Sequence, residues 1–308
     1  MKRILLLADR DGDAFAAALS ARLPGRDIVR SPPTDRAPTP YLIVGNPPVG
    51  LVARLVGLEL ILSLNAGVEG LLGGHEVPCG VPVVKMADDG LRQGMVEWVL
   101  AQVLAWHRNL WVYAADQAAG AWRPRVERLA RERTACVLGA GSLGGPVAMA
   151  LAGIGFATRI WSRSGAVLEG VASFAGARGL LPAVEGADIL VCLLPRAAAT
   201  EGLIGEDVFS RLAPDALFLN AGRGAVVVDD DLLRGLDAGR PGLAVLDVFR
   251  GEPLEGGHGF WTHPGVRITP HVAAQTRPDT AALAIAASIA RFERGEPPGP
   301  LASAVRGY

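Results

Sequence analysis

Three ionisable side chains follow apolar runs that we predict to be strands: Arg223, Glu252 and His271. The carboxyl ends of parallel strands meet at one edge of a sheet, so we expect these side chains to gather around one ligand. A guanidinium can hold the carboxylate of a 2-oxo acid and polarise its carbonyl. A histidine paired with a carboxylate can donate a proton to the alkoxide that hydride reduction leaves. Each residue alone also fits an ordinary loop position, but their common location favours catalysis.

A glycine-rich turn lies between two other apolar runs, Thr134–Leu138 and Ala157–Trp161. Gly139, Gly141 and Gly144 have the spacing that serves a tight turn, a close approach to a pyrophosphate and close packing of a helix on a strand. The free amides and dipole of the following helix also favour an anion. In a chain with 39 glycines the spacing can arise by chance or merely close a turn. The flanking strand, helix and strand favour a dinucleotide site.

The choice of coenzyme depends on the end of the second strand. An NAD site usually has an acidic residue there, which accepts hydrogen bonds from the ribose 2′-hydroxyl. This chain has Ser162, Arg163 and Ser164 instead. A guanidinium and two hydroxyls suit a 2′-phosphate, so the sequence favours NADP(H) over NAD(H). The alternative is a solvated arginine on a turn.

Apolar runs and helical patterns alternate along most of the chain, which predicts α/β architecture with doubly wound parallel sheets. The helices expected are Ala14–Leu23, Asp230–Leu236, Ala281–Arg294 and a long pattern from Leu91 to Ala119. The last is more apolar than one core requires, which favours a subunit interface over a buried helix between domains. The further strands expected are Ile4–Ala8, Tyr41–Val44, Leu60–Leu64, Asp188–Leu194, Ala216–Leu219, Leu243–Asp247 and Val266–Thr269.

Length and composition limit the classes of protein that the chain can belong to. Its 308 residues predict two domains, and the net charge of −1 gives no indication of a nucleic acid or membrane partner. We interpret Cys79, Cys136 and Cys192 as buried small apolar residues in a reducing compartment, not as a disulfide or metal framework. The apolar run Ile4–Ala8 is too short for the core of a signal peptide, so the cytoplasm is the default location.

Several motifs occur in an order typical of the D-2-hydroxyacid dehydrogenases, and the chain resembles that family, most of all its glyoxylate/hydroxypyruvate reductase A group. The resemblance is strongest from Met95 to Pro278 and weaker in LNAGVEGLL near the N-terminus. The motifs that carry it are VLGAGSLGGPVA, WSRS, LLPRAAATEGLIG, LNAGRGAVVVDDDLL, LAVLDVFRGEPL, FWTHPGVRITPHVAAQTRP and the terminal RGY.

The resemblance implies a Rossmann coenzyme domain, residues 94–275, inserted in a flavodoxin-like substrate domain formed by residues 1–93 and 276–308. It also implies a homodimer built on the helix after Leu91. Arg223 would anchor the substrate carboxylate, and His271 would be the acid/base with Glu252 as its partner. The residues that we assign to coenzyme binding are Gly139, Gly141, Ser142, Leu143, Gly144, Ser162, Arg163, Ser164, Leu194, Pro195, Ala221 and Asp247, and those that we assign to the substrate are Ala66, Gly67, Arg223 and His271.

The turn at Ala66 and Gly67 follows a predicted strand, so its amides can meet an anion, although an ordinary strand-to-helix turn would have the same residues. In the family this loop offers amides to the substrate carboxylate. The chain also departs from the family pattern. Gly222 replaces a common alanine, Arg196 replaces a common polar residue after LLP, and the tail lacks a common aspartate. The first two could alter the pocket shape or the coenzyme site.

Together these inferences predict NADPH-dependent reduction of a small 2-oxo acid, such as glyoxylate or hydroxypyruvate, to the D-2-hydroxy acid. One alternative is a non-enzymatic dinucleotide-sensing protein of the same fold, because fold alone does not determine function. Others are a dehydrogenase for a larger 2-oxo acid and an enzyme resembling formate dehydrogenase. Glu252 argues against the last of these, in which a glutamine partners the histidine.

Overall fold

The computed structural model describes residues 2–33, 37–74 and 77–303, so the terminal RGY motif lies outside the described residues. The chain forms two compact units. Unit 1 comprises Met1–Leu91 and Gln275–Tyr308, and unit 2 comprises Arg92–Ala274. The middle of the chain is therefore inserted between the two parts of unit 1. The division predicted from the sequence places the two domain boundaries after residues 93 and 275.

Unit 1 contains a five-stranded sheet in the order β2-β1-β3-β4-β5, and all of its strand pairs are parallel. This is the flavodoxin-like order, as the family resemblance implies. The central strands are buried on both faces, which explains their continuous apolar runs. The elements are β1 Arg3–Leu7, α1 Gly12–Arg22, β2 Asp27–Val29, β3 Tyr41–Val44, α2 Leu51–Arg54, β4 Leu60–Ser63, α3 Glu69–Gly74, β5 Val83–Val84 and α10 Pro278–Glu293.

Unit 2 contains a seven-stranded parallel sheet in the order β12-β11-β10-β9-β6-β7-β8. The first strand of this unit, β6, lies between β7 and β9, so the strand order reverses there in the manner of a Rossmann fold. The expectation of two doubly wound parallel sheets is confirmed. The helix α4 Asp89–His107 begins in unit 1 and continues into unit 2. The other elements of unit 2 are α5 Leu110–Ala118, β6 Thr134–Leu138, α6 Gly144–Ile154, β7 Ala157–Ser162, β8 Ala172–Ala175, α7 Gly176–Val184, β9 Ile189–Cys192, α8 Glu206–Phe209, β10 Leu217–Asn220, α9 Asp229–Asp237, β11 Leu243–Leu246 and β12 Val266–Ile268.

Apolar side chains cover both faces of the unit 2 sheet. Val99 and Val103 of α4 pack with Leu151 of α6 in one cluster, and Phe209 and Phe218 belong to the other. The phenylalanine rings meet edge to face, with 5.3 Å between their centroids. This packing holds the strands rigidly, so the loops at their carboxyl ends start from fixed positions.

The prediction of buried cysteines is right at two positions and wrong at the third. Cys136 in β6 and Cys192 in β9 are fully buried, and burial raises the pKa of each thiol to about 12. Both thiols are therefore protonated and unreactive at neutral pH. Cys79 is exposed, because it lies in the loop between α3 and β5.

The prediction of one continuous helix from Leu91 to Ala119 is wrong. The chain forms α4 and α5, with Asn109 between them at a φ of 53°. Asparagine tolerates this left-handed conformation better than most residues. Its side-chain amide also donates to Glu127 at 2.7 Å, which stabilises the break. Among the described residues, no helix has the combined length and hydropathy of a membrane-spanning segment.

Candidate active site

The turn after β6 requires two of its three glycines for its own fold. Gly139 has a φ of 110°, and its amide donates to the carbonyl of Trp161 at 2.8 Å. A Cβ on Gly139 would lie 2.9 Å from the carbonyl oxygen of Leu193. A Cβ on Gly144 would overlap the carbonyl oxygen of Gly139. These glycines therefore allow the strand, the turn and the first turn of α6 to lie in contact.

Gly141 differs, since a Cβ there would meet no atom of the chain within 4 Å. Folding therefore does not demand this glycine, but a ligand that approaches the backbone would. No side chain caps the start of α6, where the amide of Gly145 donates to the carbonyl of Gly141 at 3.1 Å, and the dipole of the helix favours an anion at this end. The hydroxyl of Ser162 is buried and has no hydrogen-bond partner among the described residues. A dinucleotide with a phosphate near β7 fits these three observations.

The other predicted coenzyme residues lie at the same edge of this sheet. Arg163 and Ser164 directly follow β7 and are exposed. Leu194 and Pro195 follow β9, the neighbour of β6 on its other side. Ala221 follows β10, and its amide donates to the carbonyl of Cys192 at 3.1 Å. The carboxyl ends of these strands surround the glycine turn, the position at which open parallel sheets bind ligands.

His271 and Glu252 form a contact pair. The Nδ1 atom of His271 lies 2.7 Å from Oε2 of Glu252, and the two side chains are 52% and 35% exposed. The other carboxylate oxygen of Glu252 accepts the amide of Phe249 at 3.0 Å. The carboxylate is thus held from both sides, and it fixes the orientation of the imidazole ring.

The backbone of His271 is in the left-handed region, with a φ of 52°. A non-glycine residue holds this conformation only where its surroundings enforce it. Asp247, which is 1% exposed, supplies that constraint. Its carboxylate accepts the amides of Val272 and Ala273, each at 2.9 Å, and its carbonyl accepts the amide of His271 at 2.9 Å. The carboxylate also accepts the Thr269 hydroxyl. Coenzyme binding by Asp247 stays a prediction, but its side chain fixes the loop that presents His271.

Arg223 follows β10 in a turn that Asn220 stabilises. The side chain of Asn220, which is 1% exposed, accepts the amide of Gly222 at 3.1 Å and donates to the carbonyl of Arg223 at 3.2 Å. Nη1 of Arg223 donates to the carbonyl of Gly222 at 2.7 Å. The next residue, Gly224, touches the neighbouring loop, because a Cβ there would overlap the backbone of Phe249. The loops that carry Arg223 and Glu252 are therefore in contact.

Gly222, one of the departures from the family pattern, has a structural reason in this chain. A Cβ at this position would lie 2.5 Å from the carbonyl oxygen and 2.7 Å from the amide nitrogen of Leu194. An alanine here would force the loop after β10 away from the loop after β9. The glycine therefore allows the loop that carries Arg223 to approach the loop of Leu194 more closely than an alanine would.

Ala66 and Gly67 lie in unit 1, in the turn between β4 and α3. The carbonyl of the preceding Asn65 accepts the amide of Met86 at 3.2 Å, and the carbonyl of Leu64 accepts the Thr276 hydroxyl at 2.5 Å. These bonds fix the start of the turn. The role of Ala66 and Gly67 in substrate binding stays a prediction.

Sequence reasoning missed two kinds of residue that the site contains. Asn220 and Thr269 each end an apolar strand with a polar side chain that holds a loop, and a buried polar residue at such a position is the signal that could have indicated them. Arg250 was also missed, since an arginine in a loop is usually solvated. In the described ranges, no group of three or more histidine, cysteine, aspartate or glutamate side chains could hold a metal ion.

Residues 100–273 match the family model described as "D-isomer specific 2-hydroxyacid dehydrogenase, NAD binding domain". Among curated proteins, the chain is 39% identical over 303 residues to a glyoxylate/hydroxypyruvate reductase A from Serratia proteamaculans, and the alignment covers 97% of each chain. It is 38% identical over 299 residues to the protein of the same name from Yersinia enterocolitica, with 96% of each chain covered.

Two solved structures resemble the whole chain. A D-isomer specific 2-hydroxyacid dehydrogenase from Xanthobacter autotrophicus Py2, in complex with NADPH and MES, has a TM-score of 0.95 and 36% identity, covering 100% of this chain and 99% of that one. An NADPH-dependent glyoxylate/hydroxypyruvate reductase from Sinorhizobium meliloti, in complex with NADP and sulfate, has a TM-score of 0.93 and 34% identity, with full coverage of both chains.

Proposed function

The chain belongs to the D-isomer specific 2-hydroxyacid dehydrogenases, and on this basis we propose that it reduces a small 2-oxo acid to the D-2-hydroxy acid. The substrate class is that of glyoxylate and hydroxypyruvate, and NADPH is the reductant. The observation that carries the proposal is the 2.7 Å contact between His271 and Glu252, on loops at the sheet edge that also holds the glycine turn.

In this reaction the chain supplies charge and a proton. Arg223 holds the substrate carboxylate and polarises the carbonyl that is reduced. The coenzyme, when bound, supplies the hydride to the carbonyl carbon. Glu252 occupies Nδ1 of His271, so Nε2 is the nitrogen that gives its proton to the carbonyl oxygen. Glu252 then stabilises the tautomer that remains, and Asp247 keeps the histidine loop in place.

The preference for NADPH rests on the last residue of β7, on the two residues that follow it and on the relatives. Ser162 offers a buried hydroxyl without a partner among the described residues, and Arg163 and Ser164 follow it in the chain. A planar guanidinium suits a phosphate better than a ribose hydroxyl. The Sinorhizobium relative is named as NADPH-dependent, and the Xanthobacter structure holds NADPH.

A comparison of initial rates tests the substrate class. We expect the highest kcat/KM for glyoxylate or hydroxypyruvate with NADPH, and lower values for phenylpyruvate, for ketopantoate and for every acid with NADH. A preference for phenylpyruvate would favour the alternative of a larger 2-oxo acid. Failure to reduce any of the four, with NADPH still bound, would favour the dinucleotide-sensing alternative.

The proposal includes a homodimer built on the region of α4 and α5, with Ala66 and Gly67 as substrate residues of unit 1. Large apolar side chains of α5 and of the segment after it are exposed, and Trp122 and Val126 reach 96% and 103% exposure. Surfaces of this kind usually pack against another chain. Sedimentation analysis of the wild type and of Trp122→Ser checks this, and we expect the variant to shift toward the monomer. A monomeric wild type would contradict it.

We further propose that the enzyme works in the cytoplasm. Its three cysteines are free thiols, two of them buried, as is usual in a reducing compartment. Fractionation of the native cells, with the activity followed in each fraction, tests the location.

A further inference from the structure

The side chain of Arg250 leaves its own loop and crosses to the loop that carries Arg223. Arg250 follows β11 and precedes Glu252 by two residues. Its Nε and Nη2 atoms donate to the carbonyl of Val227 at 3.1 and 2.5 Å, and Nη2 also donates to the carbonyl of Ala225 at 3.2 Å. Three hydrogen bonds from one guanidinium thus connect the two loops.

The carbonyls that Arg250 contacts belong to the turn that positions Arg223. Gly224–Val226 form one 3-10 turn directly after Arg223, closed by the amide of Val226 on the carbonyl of Arg223 at 3.3 Å. Arg250 therefore holds this turn from the side of the glutamate loop. On the other side, the amide of Gly202 donates to the carbonyl of Ala225 at 2.9 Å, and that of Ile204 to the carbonyl of Val226 at 3.0 Å.

Arg250 also directly follows the residue whose backbone amide holds the Glu252 carboxylate. Its neighbour Phe249 donates the backbone amide that Oε1 of Glu252 accepts at 3.0 Å. A displacement of the Arg250 backbone would also act on this amide, because the two residues are adjacent in the chain. The guanidinium thus couples the position of Arg223 to that of the Glu252 carboxylate.

Two carboxylates also lie near the guanidinium of Arg250. Nη1 lies 3.1 Å from Glu201, and Nε lies 3.8 Å from Asp229. Burial raises the pKa of Asp229, and the positive charge of Arg250 opposes that shift. Glu201 is also 3.6 Å from Arg196, which follows the predicted coenzyme residues Leu194 and Pro195. The contacts of Arg250 therefore reach the loops after β9, β10 and β11.

The geometry of these contacts requires an arginine. Two carbonyls and a carboxylate lie around one planar group, and each accepts a hydrogen bond in a different direction. A lysine ammonium can carry the charge, but its single nitrogen cannot reproduce the separated donors of the fork. Hydrogen bonds from a charged donor are also stronger than neutral ones, so their loss would loosen the turn.

We propose that Arg250 is a positioning residue that sets the distance between Arg223 and the Glu252–His271 pair. The inference rests on the reductase function proposed above, in which Arg223 holds the substrate and His271 gives the proton. In this role Arg250 needs no contact of its own with substrate or coenzyme. It acts through the turn at Gly224–Val226 and through the Phe249 amide.

The test compares Arg250→Met and Arg250→Lys with Arg211→Met as the matched control. Arg211 is also half-exposed and pairs with a carboxylate, Glu185, at 2.8 Å, but it lies before β10, at the opposite end of that strand. The first measurement is hydrogen exchange of the amides of residues 224–228 without substrate. We expect about tenfold faster exchange in Arg250→Met, an intermediate rate in Arg250→Lys and no change in the control.

The second measurement is steady-state kinetics with glyoxylate and NADPH. We expect KM for glyoxylate to rise about tenfold in Arg250→Met and less in Arg250→Lys, because a small misplacement of Arg223 relative to His271 is costly. A variant that merely loses folded enzyme would lower kcat and leave KM unchanged. If Arg250→Met does not fold, the exchange and KM values of Arg250→Lys decide.

Unchanged exchange and unchanged KM in the folded variants would overturn the positioning role. An unchanged KM with faster exchange would overturn it too, since the turn would then move without consequence for the substrate. A wild-type enzyme that binds NADPH but reduces no 2-oxo acid would refute the proposed function instead. The exchange measurement would still report whether Arg250 holds the turn.

Discussion

The glycine turn after β6 and the loops after β10, β11 and β12 lie at one sheet edge, yet they present opposite kinds of surface. The turn offers backbone, and Gly141 leaves a space that no atom of the chain fills. The three loops offer side chains, and each is fixed by another residue: Arg223 by the turn that Asn220 holds, Glu252 by the Phe249 amide and His271 by the Asp247 clamp. The glycine turn thus depends on the absence of a side chain at certain positions. The three loops depend instead on other residues that hold each functional side chain in place.

The largest effect should follow from removal of the proton donor in the side-chain region. His271→Asn suits the left-handed backbone, because asparagine tolerates a positive φ, and so it isolates the chemistry from the fold. We expect kcat to fall by about 10² to 10⁴, the usual contribution of general acid catalysis. Steady-state rates measure this loss, and coenzyme titration should show NADPH affinity unchanged.

Glu252→Gln tests the partner of His271 with a smaller chemical change. The amide keeps a hydrogen bond to the imidazole but removes the charge, so we expect a smaller loss of kcat than in His271→Asn. A loss of NADPH affinity in either variant, as large as the loss of rate, would mean that the two regions do not have separate tasks.

Two alanine substitutions divide the backbone region itself. In Gly144→Ala the new methyl overlaps the Gly139 carbonyl, and we expect a loss of stability of about 3 kcal/mol. In Gly141→Ala the methyl meets no protein atom, so unfolding should be unchanged while NADPH affinity falls. Thermal unfolding and coenzyme titration of both variants measure the contrast. Equal effects on stability would contradict the distinction between the two glycines.

A smaller effect is expected from Arg163, the charged side chain that follows β7 in the predicted coenzyme site. Arg163→Ala should weaken NADPH by about 10- to 100-fold, the usual contribution of a hydrogen bond to a charged group, and leave NADH nearly unchanged. Dissociation constants for both coenzymes, compared with those of Arg178→Ala as an arginine outside the assigned set, measure the difference. Equal losses for NADPH and NADH would remove the role assigned to Arg163.

The smallest expected effect concerns the stability at acid pH of the part of unit 2 that surrounds His107. His107, at the end of α4, is 5% exposed and meets the Phe156 ring edge to face at 5.1 Å. Burial and the charge of Arg133 lower its pKa. The unfolded chain then binds the proton more readily, so this contribution is complete above the ordinary histidine pKa and is lost as the pH falls through the lowered value.

His107→Leu should therefore remove part of the stability loss between pH 7.5 and 5.5, a difference of a few degrees in melting temperature. Hydrogen exchange at both pH values locates the effect. After division by the intrinsic exchange rates at each pH, we expect the acid-induced loss of protection in the wild type to be larger in β6, α6 and β7 than in β10 to β12, because Phe156 lies between α6 and β7. An identical pH dependence in His107→Leu would contradict the assignment.

Local patterns predicted the strands of both sheets well where burial on both faces makes the run continuously apolar. Tyr41–Val44 and Thr134–Leu138 have the predicted bounds. The short edge strands β2, β5 and β8 were missed, since two to four residues carry little periodic signal. The break at Asn109 was missed because an asparagine within an apolar helical pattern gives no strong stop signal, and its contact with Glu127 is tertiary.

The sequence by itself determined the α/β class, the glycine turn and the three loops that carry Arg223, Glu252 and His271, because strand-end positions and glycine spacing are local features. The tertiary structure alone decided how those loops are held. Asp247 reaches the amides after His271, Arg250 reaches the carbonyls after Arg223, and Gly222 fits against Leu194. Such contacts join residues from different loops, and only the packing of adjacent parallel strands brings them within hydrogen-bonding distance.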